Sequence, residues 1–203
     1  YLVEKGIDGE KVVCLEIFDY LFEGEPKPHK LSMQVAVAGN LDPQKCSYIY
    51  DMAVHNPEIT VNLYGGNFDN KNTQRNVTYC GSYSPEEIPG VIDAAFGVVW
   101  DGTSSDSCVG NTGEYLKYNN PHKTSLYMVA GLPVIVWDQA AIAEFVVNNG
   151  VGIAVSSLND LASTLQEITE QEYEKMRSNA VQVGVRLKSG DYLKKAFLEL
   201  DIR

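Results

Sequence analysis

The run Ala95-Phe96-Gly97-Val98-Val99-Trp100 narrows the fold more than any other part of the chain. It is apolar at every position. A half-exposed strand alternates apolar and polar residues, whereas a continuous apolar run belongs to a strand covered on both faces. Parallel sheets have that cover, because the crossovers that join their strands are helical. Val134–Trp137 (VIVW) repeats the pattern. Lys11–Phe18 (KVVCLEIF), Leu31–Ala38 (LSMQVAVA), Glu58–Tyr64, Val77–Cys80 and Ile153–Val155 also read as strands.

Helix signals fall between these runs. Asp42 is placed to cap a helix with Pro43 at its first position, running from about Gln44 to Val54. Ser84-Pro85-Glu86-Glu87 has the capping-box spacing. Lys123–Val129, Gln139–Asn148, Ser157–Ile168, Glu170–Lys188 and Asp191–Leu200 read as helices, and the polar stretch Asp101–Gly113 as a loop. Tyr1–Gly6 reads as the last turns of a helix closed by glycine, so the chain is expected to be a piece of a larger protein. Alternating strands and helices predict an α/β, Rossmann-like parallel sheet with helices on both faces. The division expected is an entry segment with a linker over 1–30, the nucleotide-binding sheet domain over 31–188 and a terminal helix over 189–203.

Charge and cysteine usage exclude several functions. Against 16 Lys and Arg stand 27 Asp and Glu, a formal charge of −11 over 203 residues. That balance lacks the basic field non-specific nucleic-acid binding requires, and it disfavours anionic membrane surfaces. The longest mainly apolar run, Met128 to Trp137, is half of a membrane span. Cys14, Cys46, Cys80 and Cys108 are too widely spaced for a zinc or redox pair and read as reduced, mostly buried thiols. The expected setting is cytoplasmic.

Ligands of open α/β sheets bind beyond the carboxyl ends of the strands. Three such ends stand out: Gly39-Asn40, Tyr64-Gly65-Gly66-Asn67, and Asp101-Gly102 with the loop leading to Asn119-Asn120-Pro121-His122-Lys123-Thr124-Ser125. Gly39 permits a tight turn before a helix whose free N–H groups suit a phosphate. Lys123 sits in the first turn of a helix, where the macrodipole disfavours a cation. A bound diphosphate would neutralise it; a solvated lysine is the plainer alternative. Asp101 suits either a ligand or a loop cap. Tyr83 suits base stacking or packing. His122 lacks a positioned partner that would make it a base. No G-x-G-x-x-G follows Leu31–Ala38, which counts against a nicotinamide-dependent oxidoreductase, and no G-x-S-x-G or clustered metal-ligand set is present.

Phe18-Asp19-Tyr20-Leu21, Ala38-Gly39-Asn40-Leu41, Val99-Trp100-Asp101-Gly102, Tyr118-Asn119-Asn120-Pro121-His122-Lys123 and Ala130-Gly131-Leu132-Pro133-Val134-Ile135-Val136-Trp137 occur in this order. Together they resemble the C-terminal half of a bacterial glycosyltransferase group. That group holds galactofuranosyltransferase-like proteins and the glucosyltransferases that extend GlcNAc on serine-rich adhesins. The resemblance implies a GT-B architecture, whose C-terminal Rossmann-like domain binds a UDP-sugar and whose N-terminal domain, missing here, supplies much of the acceptor side. It implies transfer of a hexosyl group to a glycan or glycoprotein acceptor, no metal and no further cofactor. Full-length relatives commonly self-associate. By the resemblance Lys123 holds the donor phosphates, Gly39 and Asn40 form the turn facing the diphosphate, and Tyr83 lies near the nucleotide. Asp101, Gly102, Asn119, Asn120, Thr124 and Ser125 complete the expected donor-binding set.

The chain departs from the group at two places. Many retaining GT-B enzymes carry two glutamates around this helix, where Tyr118 and Leu126 stand here. Where a basic residue often follows the Gly-Asn-Leu turn, Pro43 is nearest and Lys45 comes two residues later. The isolated donor domain is expected to bind donor without turnover. A non-catalytic nucleotide-binding or assembly module is the alternative reading.

Overall fold

Val35 to Ala38, Phe96 to Val99 and Val134 to Trp137 are buried at every position. They form the middle strands of a sheet covered on both faces, as the continuous apolar runs predict. In the computed structural model, which describes residues 2–69 and 74–201, six strands make one parallel sheet. They are β1 (Gln34–Ala38), β2 (Thr60–Tyr64), β3 (Val77–Tyr79), β4 (Phe96–Val99), β5 (Val134–Trp137) and β6 (Gly152–Val155), in the order β3-β2-β1-β4-β5-β6. The chain passes outward from β1 to β3, then returns to β4 on the other side of β1 and continues to β6. The strand order therefore reverses between β1 and β4, and a crevice opens at their carboxyl ends.

The crossovers are α1 (Pro43–Cys46), α2 (Tyr48–His55), α3 (Ile88–Val91), α4 (Gly110–Tyr115), α5 (His122–Val129), α6 (Ala143–Asn149) and α7 (Leu161–Glu167). Two longer helices follow, α8 (Glu170–Lys188) and α9 (Asp191–Asp201). Local chemistry sets several of their ends. Asp42 accepts from the Gln44 amide at 2.8 Å, with Pro43 opening α1. Thr169 and Glu172 form a reciprocal capping box on α8. Gly150 closes α6 in the left-handed region, at φ 59°. Tyr127 on α5 lies over Gly97, where an added Cβ would fall 2.2 Å from the ring. Its hydroxyl accepts from the Ala38 amide at 2.7 Å and reaches the Val98 carbonyl at 3.4 Å. One phenol thus ties α5 to β1 and β4 at the reversal point.

Four sequence expectations need correction. Lys11–Phe18 is not a strand: the sheet ends at β3 and β6, so the segment has no strand neighbour. Its carbonyls bond side chains instead, Asn120 donating to Glu16 at 2.8 Å and Ser125 to Phe18 at 2.5 Å. The stretch Asp101–Gly113 is not wholly loop, because α4 begins at Gly110. Ser84 and Glu87 make half of their box: the Ser84 amide donates to the Glu87 carboxylate at 3.1 Å, and the helix starts only at Ile88. Leu2–Gly6 is a turn rather than a helix end, with Gly6 at φ 90°. Tyr1, and residues 202–203 of the expected terminal segment, lie outside the described residues.

The segment around Phe18-Asp19-Tyr20 is a strap. Asp19 accepts from the Tyr192 and Leu193 amides at 3.3 and 2.7 Å and so caps the first turn of α9 from a distance in sequence. Tyr20 donates its amide to Leu187 and its hydroxyl to Pro85. Glu16 pairs with Lys195. Beyond the strap, α9 leaves Leu193, Phe197 and Leu198 exposed.

Candidate functional site

At the carboxyl end of β1 the chain turns through Gly39 at φ 119°, its amide donating to the Tyr64 carbonyl at 2.8 Å. Gly65 follows β2 at φ 152°, and a Cβ there would stand 1.7 Å from the Gly39 carbonyl oxygen. The two turns press backbone on backbone, which only glycine permits. Asn40 fixes the turn: its Oδ1 accepts from the Asp42 amide at 3.0 Å and from Asn67 Nδ2 at 2.9 Å.

Across the reversal point, β4 delivers Asp101. Its residue is 7% exposed. Its carboxylate accepts from Lys123 Nζ at 2.7 Å and stands 3.8 Å from Lys45 Nζ. Lys123 also donates to the Trp100 carbonyl at 3.2 Å. The Gly102 amide, at φ 116°, donates to the Lys45 carbonyl at 2.8 Å, joining α1 to the loop after β4. Lys123 passes beneath the first turn, its Cε 3.7 Å from where a Gly39 Cβ would lie. Two ammonium groups thus share one carboxylate at the crevice, leaving a local positive surplus in a chain of net charge −11.

The sequence leaves Lys123 either neutralised by a bound diphosphate or solvated, and the structure pairs it with Asp101. The cation that the helix start disfavours is thereby held within the chain. Cys46, Cys108 and Tyr48 beside this centre are buried. Burial is the main cause that pushes the Cys46 thiol up to about 11 and that of Cys108 up to about 12. The Tyr48 phenol is pushed well up by burial and then by Asp101, and its hydroxyl has no partner among the described residues.

The other predicted residues are spread around this centre. Thr124 and Ser125 are fully buried on α5; Ser125 is engaged by Phe18, and Thr124 Oγ1 has no partner among the described residues. Tyr83 is exposed near the end of β3, donating to the Cys80 carbonyl at 2.9 Å with its ring tilted against Tyr64 at 6.4 Å. Asn119 and Asn120 line a separate cleft of about 740 Å³ between the strap and α6. His122 is exposed and stacks on Phe18 at 4.6 Å. Gly39, Asp101, Gly102 and Lys123 are therefore brought together. Lys45, only two residues past Pro43, joins them in a way the sequence signalled weakly.

The description of one protein family, Glucosyltransferase 3-like, C-terminal domain, matches residues 35–200. The chain belongs to that family. This Glucosyltransferase 3-like domain is 36% identical over 206 residues to beta-1,6-galactofuranosyltransferase WbbI of Escherichia coli K12, covering 98% of this chain and 59% of WbbI. It is 25% identical over 203 residues to Glucosyltransferase 3 of Streptococcus gordonii, covering 98% of this chain and 57% of that protein. The chain thus spans less than two thirds of the curated relatives it matches. The pneumococcal O-GlcNAc transferase GtfA, solved with UDP and GlcNAc, superposes with a TM-score of 0.57 at 13% identity over 90% of this chain and 38% of GtfA. WaaG, a glycosyltransferase of lipopolysaccharide biosynthesis, superposes at 0.51 and 13% identity over 82% and 47%. At such identities these two show the fold alone, and it is the α/β, Rossmann-like sheet expected. No described helix is long and apolar enough to cross a membrane. The four cysteines are free, with Cys46 and Cys108 buried, Cys80 half-buried and Cys14 exposed.

Proposed function

We propose that this chain binds the donor UDP-sugar of a glycosyltransferase, and that the full-length protein transfers the hexosyl group to a glycan or glycoprotein acceptor. The observation that carries the reading is the pair of lysines, Lys45 and Lys123, on one buried carboxylate at the β1/β4 crevice. A diphosphate brings charge and acceptor oxygens together, and the two lysine ammonium groups are the donors for them. In the transfer, the bond between the anomeric carbon and the diphosphate oxygen breaks. An acceptor hydroxyl bonds to that carbon and loses its proton, and the leaving UDP gains negative charge. Lys123 and Lys45 stabilise that developing charge, with no metal required. The family membership and the names of WbbI and Glucosyltransferase 3 support the transferase reading. The acceptor side, the N-terminal domain and a cytoplasmic setting belong to the same proposal.

The test is turnover by the full-length protein. UDP release from a panel of UDP-hexoses, with a glycan acceptor and in the presence of EDTA, is expected for wild type. It is expected to fall at least tenfold in Lys123→Ala. Turnover that depends wholly on added divalent metal, or that Lys123→Ala leaves unchanged, contradicts the reading.

A further inference from the structure

A carboxylate between two phosphate-binding lysines works against the ligand it faces, and Asp101 has no other visible task. A loop cap accepts from backbone amides. Among the described residues, no backbone amide donates to the Asp101 carboxylate. Its Oδ1 accepts from Lys123 Nζ at 2.7 Å, and its Oδ2 stands 3.8 Å from Lys45 Nζ. The Asp101 side chain is 10% exposed and that of Lys123 15%, so water screens the pair weakly.

Lys123 Nζ carries three N–H groups. Asp101 takes one, and the Trp100 carbonyl takes a second at 3.2 Å. The third is left for a ligand. The Lys45 ammonium makes no hydrogen bond among the described residues, and its side chain is 34% exposed. A phosphate oxygen bonded to the third Lys123 N–H would lie within about 6 Å of the Asp101 oxygen, because each contact to Nζ is about 3 Å long. Like charges at that separation, partly shielded from water, repel each other measurably.

The two nucleotides a transferase handles differ in charge at this point. In a UDP-hexose both phosphates are esterified, and each carries one negative charge. In released UDP the terminal phosphate has a free end, which gains a second charge as pH rises through about 6. The lysines attract both nucleotides. Asp101 opposes both, and it opposes UDP more by that additional charge. Lysines alone would bind most tightly the nucleotide that must depart, and product release sets the turnover of many enzymes.

We propose that Asp101 is a specificity-determining residue that discriminates between donor and product, weakening the hold on UDP relative to the UDP-sugar so that the product leaves the lysines. The inference rests on the donor reading of the crevice and adds charge selection to it.

Calorimetry on the full-length protein measures the dissociation constants of UDP, UDP-glucose and UDP-galactose at about pH 5 and about pH 8, on either side of the terminal phosphate titration. Wild type is compared with the uncharged variants Asp101→Asn and Asp101→Ser and with Asp101→Glu. At the higher pH each uncharged variant is expected to tighten UDP at least about fivefold more than it tightens either UDP-hexose. Asp101→Glu keeps the charge and is expected to keep the wild-type ratio. UDP alone gives a second reading: its gain in affinity between the two pH values is expected to be at least about fivefold larger in the uncharged variants than in wild type. That reading decides where neither UDP-hexose binds.

An equal change for UDP and the UDP-hexoses overturns the inference. So does a loss of affinity for all three, the mark of a carboxylate that only positions the lysines. Failure of both uncharged variants to fold, seen by circular dichroism, assigns Asp101 to the fold and overturns it too. If wild type binds UDP and the ratio stays fixed, the inference falls and the donor reading stands. If wild type binds no UDP, the donor reading falls and the inference falls with it.

Discussion

Asp101 sets the behaviour of both lysines, and the consequences appear at single residues. On the proposed donor reading, Lys123→Ala removes a charge-assisted contact to phosphate and is expected to weaken UDP binding by about 1.5–3 kcal/mol. It also strips a carboxylate whose side chain is 10% exposed of its nearer cation, so it is expected to lower unfolding stability, by up to about 3–5 kcal/mol. Chemical denaturation separates the two effects: the double variant Asp101→Asn/Lys123→Met is expected to recover stability and not UDP affinity. At Gly65, φ 152° and the Gly39 carbonyl leave no room for a Cβ. Gly65→Ala is expected to cost more than about 1 kcal/mol in the same assay. The lysine was legible in the sequence as an awkward cation. Its carboxylate partner was not, because 22 residues separate Asp101 from Lys123 and only the return of the chain through α4 to α5 makes them meet.

At the scale of elements, caps and runs were legible where their partners are local. Asp42 on α1 and Thr169 with Glu172 on α8 lie within three residues of the amides they satisfy. The Lys11–Phe18 segment misled because its β-branched residues fit a strand, yet strand formation needs a neighbouring edge. Asp19 was invisible as a cap because the helix it serves begins at Asp191. Asp19→Ala is expected to cost about 1 kcal/mol, with faster amide exchange confined to the first turn of α9; Asp19→Asn is expected to retain most of the stability. Equal exchange in both variants would contradict a capping role.

The whole molecule reads as a parallel sheet whose reversal point holds cations over a strongly acidic surface. The sheet was legible because continuous apolar runs have few other homes; the order of its strands was not, since order depends on crossovers rather than on composition. His29 tests how tightly the connection into β1 is packed. Burial lowers its imidazole below the ordinary 6.5, while its Nε2 lies 3.1 Å from the Ala130 carbonyl. The unfolded chain therefore takes up a proton that the native state resists. Unfolding free energy is expected to fall as pH drops through about 6.5, and His29→Gln is expected to flatten that slope. The central claim is the pairing of Lys45 and Lys123 around one diphosphate, and calorimetric titration of UDP with EDTA present tests it most directly. The account predicts metal-independent binding that each of Lys45→Ala and Lys123→Ala weakens, Lys123→Ala by about 1.5–3 kcal/mol, with uridine alone binding far more weakly than UDP. Binding of UDP that survives both substitutions unchanged, or that uridine matches, would contradict it.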